Sequence, residues 1–146
     1  MSRRIAAIDF GTNTARLLIA DLADDGQFEQ VALQRTIVRL GGGFNRETGL
    51  ADDAIQRARL CLHQFADTIH KHAVDSVRAV ATSAVRDAVN GPAFVDQMVQ
   101  ETGIRLGVID GLTEGRIALA GVLTGLDQQP EQVLLFDVGG GVPSTP

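Results

Sequence analysis

Among its 146 residues the chain has a single cysteine, Cys61, and a single lysine, Lys71. One cysteine excludes an internal disulfide, and its place in an apolar stripe at helical spacing makes it a packing residue, so neither redox nor zinc chemistry is suggested. Long hydrophobic runs are also missing. None approaches the roughly 20 residues of a membrane span, and Arg3-Arg4 leads into a stretch broken by Asp9, unlike a secretory signal. No membrane partner and a cytoplasmic location are therefore expected. A basic excess is absent too: 13 Lys and Arg stand against 18 Asp and Glu, a net charge of −5. That balance argues against bulk nucleic-acid binding, which needs a basic face to release phosphate counterions. The basic residues are almost all arginine, whose planar fork suits bidentate phosphate contacts, although a codon bias would give the same count. His63, His70 and His72 have no spacing to other ligands that suggests zinc and read as solvated polar-face residues.

What is present is a 45% hydrophobic content, enough for the core of a domain of this size. Arg4 to Phe10, Ala15 to Leu22 and Phe28 to about Leu40 read as consecutive strands, with Thr12-Asn13 and Asp24-Asp25-Gly26 supplying the turns of an antiparallel meander. From Ala51 the period changes. Ala54, Ile55, Ala58, Cys61, Leu62, Phe65, Ala66 and Ile69 recur at helical steps, with Asp52, Asp53, Gln56, Arg57 and His63 between them. A strand from Val74 to Thr82 follows, then a helix opening at Asn90-Gly91-Pro92 and closed by Gly103. A short strand from Arg105 to Ile109 precedes a helix from about Leu112 to Leu123, ended by Gly125, and Pro130 separates it from a last strand, Val133 to Asp137. The order βββ-α-β-α-β-α-β, with crossovers of this length, puts the later strands parallel to the first.

Two acidic turns of one kind then stand out. Ile5-Ala6-Ala7-Ile8 runs into Asp9-Phe10-Gly11-Thr12-Asn13-Thr14, and Val133-Leu134-Leu135-Phe136 runs into Asp137-Val138-Gly139-Gly140-Gly141. Each Asp should emerge at a strand end beside backbone N–H groups that glycine leaves uncovered, which is how a chain holds a metal and a phosphate together. An ordinary hairpin uses the same residues at the first turn, and a glycine-rich linker would explain the second. Two facing loops sharing one metal-phosphate site is the sharper reading.

Residues 6–19, Ala81-Thr82-Ser83-Ala84-Val85-Arg86-Asp87-Ala88 and Leu134 to Gly141 together resemble the exopolyphosphatase and guanosine pentaphosphate phosphohydrolase (Ppx/GppA) family, with the blocks in order from about residue 3 to 141. Sugar kinases and actin share the Asp-Gly turns but not the Ala-Thr-Ser-Ala-Val-Arg block. The resemblance implies an α/β, actin-like (ribonuclease-H-like) domain with a mixed five-stranded sheet flanked by helices over residues 1–130. Residues 131–146 would be the first strand and loop of a second domain. It also implies Mg²⁺-dependent release of the terminal phosphate of inorganic polyphosphate or guanosine pentaphosphate. On the matching positions, Asp9 and Asp137 lie near the metal, while Gly11, Thr12, Asn13, Arg16, Thr82, Ser83, Arg86, Gly139, Gly140 and Gly141 meet phosphate. The family's glutamate, in a Gly-x-x-Glu-x-Arg segment, falls on Glu114 within Gly111 to Arg116 and would serve as base for the attacking water. At that position a carboxylate that only complements the positive helix end is the alternative. Arg39, in Arg39-Leu40-Gly41-Gly42-Gly43-Phe44, matches a loop bordering the substrate path, a role a flexible loop explains equally well.

The chain departs from this pattern after Gly141. Val142-Pro143 stands where the family has Ser-Thr, and Pro143 removes an N–H from any phosphate nest, so an altered tail and a truncated second domain are expected. The chain alone is then expected to lack turnover, and its terminal strand and family likeness both lean towards a homodimer. Two rival readings remain. One is an ATP-dependent kinase of the actin and sugar-kinase superfamily, and the other a non-catalytic module that binds polyphosphate or guanosine tetraphosphate.

Overall fold

The structure is a computed structural model and describes residues 2–125, 131, 132 and 134; the expected strand from Val133 to Asp137 and the loop Gly139 to Gly141 lie outside the described residues. Residues 3–22 form a hairpin of β1 (Arg3–Phe10) and β2 (Thr14–Leu22), and β3 (Phe28–Ile37) adds antiparallel to β2. Helix α1 (Asp52–Lys71) returns the chain to β4 (Ser76–Ala81), which pairs parallel to β1 on the side that the meander leaves open. A short helix α2 (Ser83–Arg86), then α3 (Gly91–Thr102), lead to β5 (Gly107–Val108), parallel to β4, and to α4 (Gly111–Thr124). The sheet order is β3-β2-β1-β4-β5, the mixed five-stranded arrangement expected.

Strand alternation divides the sheet. Ala6, Ile8, Phe10, Ala15, Leu17 and Ile19 turn one way and are buried, while Ala7, Asp9 and Arg16 turn the other way and are exposed. Against the buried side α1 sets Ala54, Ala58, Cys61, Leu62 and Phe65, and α3 sets Phe94 and Met98. Each such large side chain contributes roughly 1.5–3 kcal/mol when taken out of water. The Phe10 and Phe94 rings meet at 6.4 Å, tilted by 46°, which fixes α3 beneath the end of β1. Cys61 is buried as expected, and burial pushes its thiol up to about 11, so it stays a neutral packing group.

The helix boundaries follow local chemistry. Asp52 and Asp53 sit in the first turn of α1 and His70 and Lys71 in its last, each sign matched to the helix dipole. Gly103 closes α3 in the left-handed conformation at φ 75°. Across the surface, Arg59 Nε and His63 Nε2 both meet Glu101 Oε2, at 3.0 and 3.1 Å, and tie α1 to α3. His63 is therefore a hydrogen-bond partner of Glu101 as well as an exposed residue, and His72 donates at Nδ1 to the Thr68 carbonyl oxygen at 2.8 Å.

Some details differ from the reading of the sequence, among them the strand expected over Arg105 to Ile109, which is only Gly107–Val108. The third strand ends at Ile37 rather than Leu40, because Val38 and Arg39 give their N–H groups to the Asn13 carbonyl oxygen, both at 2.9 Å. Val38 and Leu40 are buried from a loop, which continues an apolar alternation past the end of the ladder. The four-residue α2 was not anticipated, since one turn shows no period.

Candidate functional site at the ends of β1 and β4

Parallel pairing of β1 with β4 sets Phe10 beside Ala81, so the loops that follow leave the same sheet edge side by side. Ligands of open α/β sheets gather at this carboxyl edge of the strands. Here Thr12 Oγ1 and Ser83 Oγ are 2.7 Å apart, a hydroxyl contact between residues 71 positions apart in sequence. Thr82, between β4 and α2, is buried, and its N–H points at the Phe10 carbonyl oxygen at 3.4 Å.

A third loop closes on the one that bears Thr12 and Asn13. The Gly41 N–H donates to the Thr12 carbonyl oxygen at 3.0 Å, alongside the two bonds that Asn13 accepts from Val38 and Arg39. Gly41 is required by this approach: a Cβ there would lie 2.5 Å from Thr12 Cγ2. Arg39 has φ 53°, left-handed for a side-chain-bearing residue. The loop expected to border the substrate path is thus stitched to the turn that bears Thr12 and Asn13. Gly11 serves that turn directly, its N–H bonded to the Thr14 carbonyl oxygen at 3.1 Å.

Asp9 and Arg16 oppose each other in the β1–β2 register, on the sheet face away from α1 and α3. Directly opposed side chains of one face come within roughly 4.5–5.5 Å at Cβ, so the structure sets an acid and a guanidinium together at the strand end.

The same edge carries the start of α4. The Ile109 N–H donates to the Ala81 carbonyl oxygen at 3.1 Å, and Arg86 Nη1 donates to the Ile109 carbonyl oxygen at 2.8 Å. Asp110 caps α4 by accepting from the Thr113 N–H at 2.7 Å. The hydroxyl and N–H of Thr113, and the charge of Arg86, hold the Asp110 carboxyl below the usual carboxylate range. Glu114 follows in the first turn of α4, half-buried, its own N–H bonded to the Asp110 carbonyl oxygen. Arg86, which the resemblance directs at phosphate, therefore also braces the segment leading to Glu114.

Sequence-predicted residues thus divide into groups. Gly11, Thr12, Asn13, Arg39, Thr82, Ser83 and Arg86 come to one edge from three loops. Asp9 and Arg16 lie at the adjoining strand ends, and Glu114 rides on the helix that starts there. Asp137, Gly139, Gly140 and Gly141 lie outside the described residues. The sequence reading missed Arg57, which it placed on the solvated face of α1. Its Nε donates to the Val38 carbonyl oxygen at 2.8 Å and its Nη2 to the Arg39 carbonyl oxygen at 3.0 Å. The available signal was Asp53 four residues before it, an i,i+4 partner that bonds Arg57 Nη1 at 2.9 Å. Among the described residues no group of three or more His, Cys, Asp or Glu side chains could hold a metal, and no helix is long and apolar enough to cross a membrane.

Comparison with known proteins places this edge in context. The chain is 37% identical to exopolyphosphatase 2 of Mycobacterium tuberculosis, over 94% of this chain and 46% of that protein. It is 34% identical to a bifunctional 3-dehydroquinate synthase/phosphatase of Fusobacterium nucleatum, over 93% of this chain and 22% of that protein. Among solved structures, the Aquifex aeolicus Ppx/GppA family member superposes with a TM-score of 0.80 at 31% identity, covering 88% of this chain and 42% of that one. A Cytophaga hutchinsonii exopolyphosphatase superposes with a TM-score of 0.79 at 35% identity, covering 84% and 39%. The domain has the actin-like fold of these structures. The chain spans less than half the length of these curated relatives. The model of the Ppx/GppA phosphatase family matches residues 18–145, and the chain belongs to that family.

Proposed function

We propose that this chain is the part of a phosphatase that holds the terminal phosphate of inorganic polyphosphate or guanosine pentaphosphate and supplies the base for its hydrolysis. The observation that carries the reading is the 2.7 Å contact of Thr12 with Ser83, which joins two hydroxyl-bearing loops at the edge where α4 starts. A short chain of hydroxyls and arginines at a strand edge suits a polyanion's end, because its oxygens need several donors and positive charge at once.

In this mechanism Thr12, Asn13, Ser83 and the guanidinium groups of Arg16 and Arg39 bind the terminal phosphoryl oxygens. Arg86 has further N–H groups beyond the one given to Ile109 and adds to the same positive field. Glu114 orients a water and accepts its proton as the water oxygen bonds to phosphorus. The bond from phosphorus to the bridging oxygen breaks, and that oxygen stays with the shortened chain. Charge spread over the transferring group is held by the arginines.

A magnesium ion is part of this proposal. The donors fit it: Asp9 is a carboxylate exposed at the strand end that leads into the loop of Thr12 and Asn13, the donor type of a cation bound by one or two carboxylates and completed by phosphate and water. Asp9, with Asp137, would hold the ion, which when bound neutralises charge on the phosphate oxygens. We place the protein's action in the cytoplasm.

The test is phosphate release from long-chain polyphosphate and from guanosine pentaphosphate by the protein that carries this chain, in magnesium, with and without Glu114→Gln. Loss of a general base should lower kcat by about 10²–10⁴-fold with substrate affinity kept within a few-fold. A Glu114→Gln enzyme with near-normal kcat would remove Glu114 from the chemistry.

A further inference from the structure

We infer that Arg57 is a positioning residue that fixes Arg39 at the phosphate-binding edge; the binding half of this inference rests on the function proposed above. Arg39 sits at φ 53°, a conformation that costs a side-chain-bearing residue energy and that something must therefore hold. Its N–H is bonded to Asn13, and its carbonyl oxygen accepts twice, from the Gly42 N–H at 2.9 Å and from Arg57 Nη2 at 3.0 Å. Arg57 Nε takes the preceding carbonyl oxygen, that of Val38, at 2.8 Å. One guanidinium thus grips two successive carbonyls on either side of the strained residue.

The grip is itself oriented. Asp53, one turn earlier on α1, bonds Arg57 Nη1 at 2.9 Å, so the fork faces the loop. The space beside the grip is tight: a Cβ at Gly42 would lie 3.1 Å from the Arg39 carbonyl oxygen and 3.3 Å from Arg57 Nη2. The far side of the loop is bonded to Thr12 and Asn13, so the clamp passes from the rigid, core-packed α1 through Arg39 to the turn that would hold phosphate. A lysine could not replace it, because a single ammonium lacks the planar fork that spans two carbonyls and a carboxylate.

Two measurements test this on Arg57→Met, Arg39→Met and the double variant. Hydrogen exchange reads the clamp without reference to function. Arg57→Met should speed exchange at the amides of Val38, Arg39 and Gly42 by at least about tenfold while those of Ala58 and Leu62 stay unchanged. Unchanged exchange in the loop overturns the inference. Binding of long-chain polyphosphate then reads its consequence. Each single variant should weaken binding by about fivefold to tenfold, the loss expected for charge-assisted bonds at a partly exposed site, and the double variant should bind like Arg39→Met alone. Additive losses would mean that Arg57 does not act through Arg39 and would overturn the inference. If the unaltered protein binds no polyphosphate, the proposed function fails, and the exchange result alone still decides whether Arg57 holds the loop.

Discussion

Replacing Gly41 with alanine tests whether the three loops form one packed unit. The added methyl would stand 2.5 Å from Thr12 Cγ2, about 1.0–1.5 Å inside the roughly 3.5–4.0 Å at which carbons attract. Two relaxations are open. The loop can withdraw, which lengthens the 3.0 Å bond from the Gly41 N–H to the Thr12 carbonyl oxygen; or Thr12 can turn about χ1, which carries Oγ1 away from Ser83. Either loses one hydrogen bond, about 0.5–1.5 kcal/mol, and an off-rotamer Thr12 adds about 0.5–1.5 kcal/mol. The expected cost is therefore about 1–3 kcal/mol, the usual range for overpacking, or roughly 3–10 °C in Tm for a domain of this size.

Thermal and urea unfolding would measure that cost in Gly41→Ala and in Gly41→Ala/Thr12→Ser. Serine keeps the hydroxyl that meets Ser83 and deletes the methyl that clashes, so the second change should recover most of the loss. If Thr12→Ser rescues nothing, the clash is not where the structure locates it, and the stitched-loop account of the site is wrong.

Other outcomes follow from the same geometry. Asn90 accepts from the Leu50 N–H at 2.8 Å and donates to its carbonyl oxygen at 3.0 Å; Asn90→Ala strands both groups of a buried residue and should cost about 2–4 kcal/mol in urea unfolding, with Asn90→Asp losing only the donor half. Glu101 is held down to about 2, from an ordinary 4.5, by bonds from Arg59, then Gln97 and His63. A carboxyl whose folded value is depressed stabilises above its unfolded value and loses that contribution as pH falls through the folded one, so stability should decline between 4.5 and about 2. Glu101→Gln should flatten this part of the Tm-versus-pH curve, and an unchanged slope would show that the α1–α3 clamp carries no linkage.

The fold was legible where one signal dominated. Regular alternation gave β1 and β2, helical spacing from Ala54 to Ile69 gave α1, and Gly91-Pro92 with Gly103 bracketed α3. Alternation failed at Val38 and Leu40, whose burial continues the pattern of β3 although their backbone has left the ladder. The expected strand from Arg105 to Ile109 shrinks to Gly107–Val108, because β4 offers partners only at Val80 and Ala81. Motif residues stood out in the sequence because their types are chemically demanding, and Thr12 and Ser83 meet in the fold, whereas Arg57 did not stand out: a polar residue on a solvated helix face looks the same whether it meets water or two carbonyl oxygens.

The way these loops are held bears on how the site could work. The β1–β2–β3 meander occupies one side of β1, so α1 can deliver β4 only to the other side, and Thr12 and Ser83 meet as a consequence of sheet order. Their loops are fixed mainly by main-chain bonds at Phe10, Thr12 and Asn13, which do not depend on side-chain rotamers and preorganise donors before any anion arrives. Helix α4 is held differently. None of its side chains is buried among the described residues, and Leu112, Ile117 and Val122 are exposed. The Ile109 N–H and Arg86 Nη1 tie the segment before it to the edge, and Asp110 caps its first turn. A phosphate drawn to Arg86 would compete for the guanidinium that braces Ile109, so occupancy of the binding loops and the placement of Glu114 would be coupled through one side chain. Arg86→Lys separates the two duties, because it keeps the charge while its shorter side chain draws the donor back from the Ile109 carbonyl oxygen that Nη1 reaches. If the coupling holds, that variant should lower kcat more than it raises KM, and a change in KM alone would leave Arg86 as a phosphate ligand only.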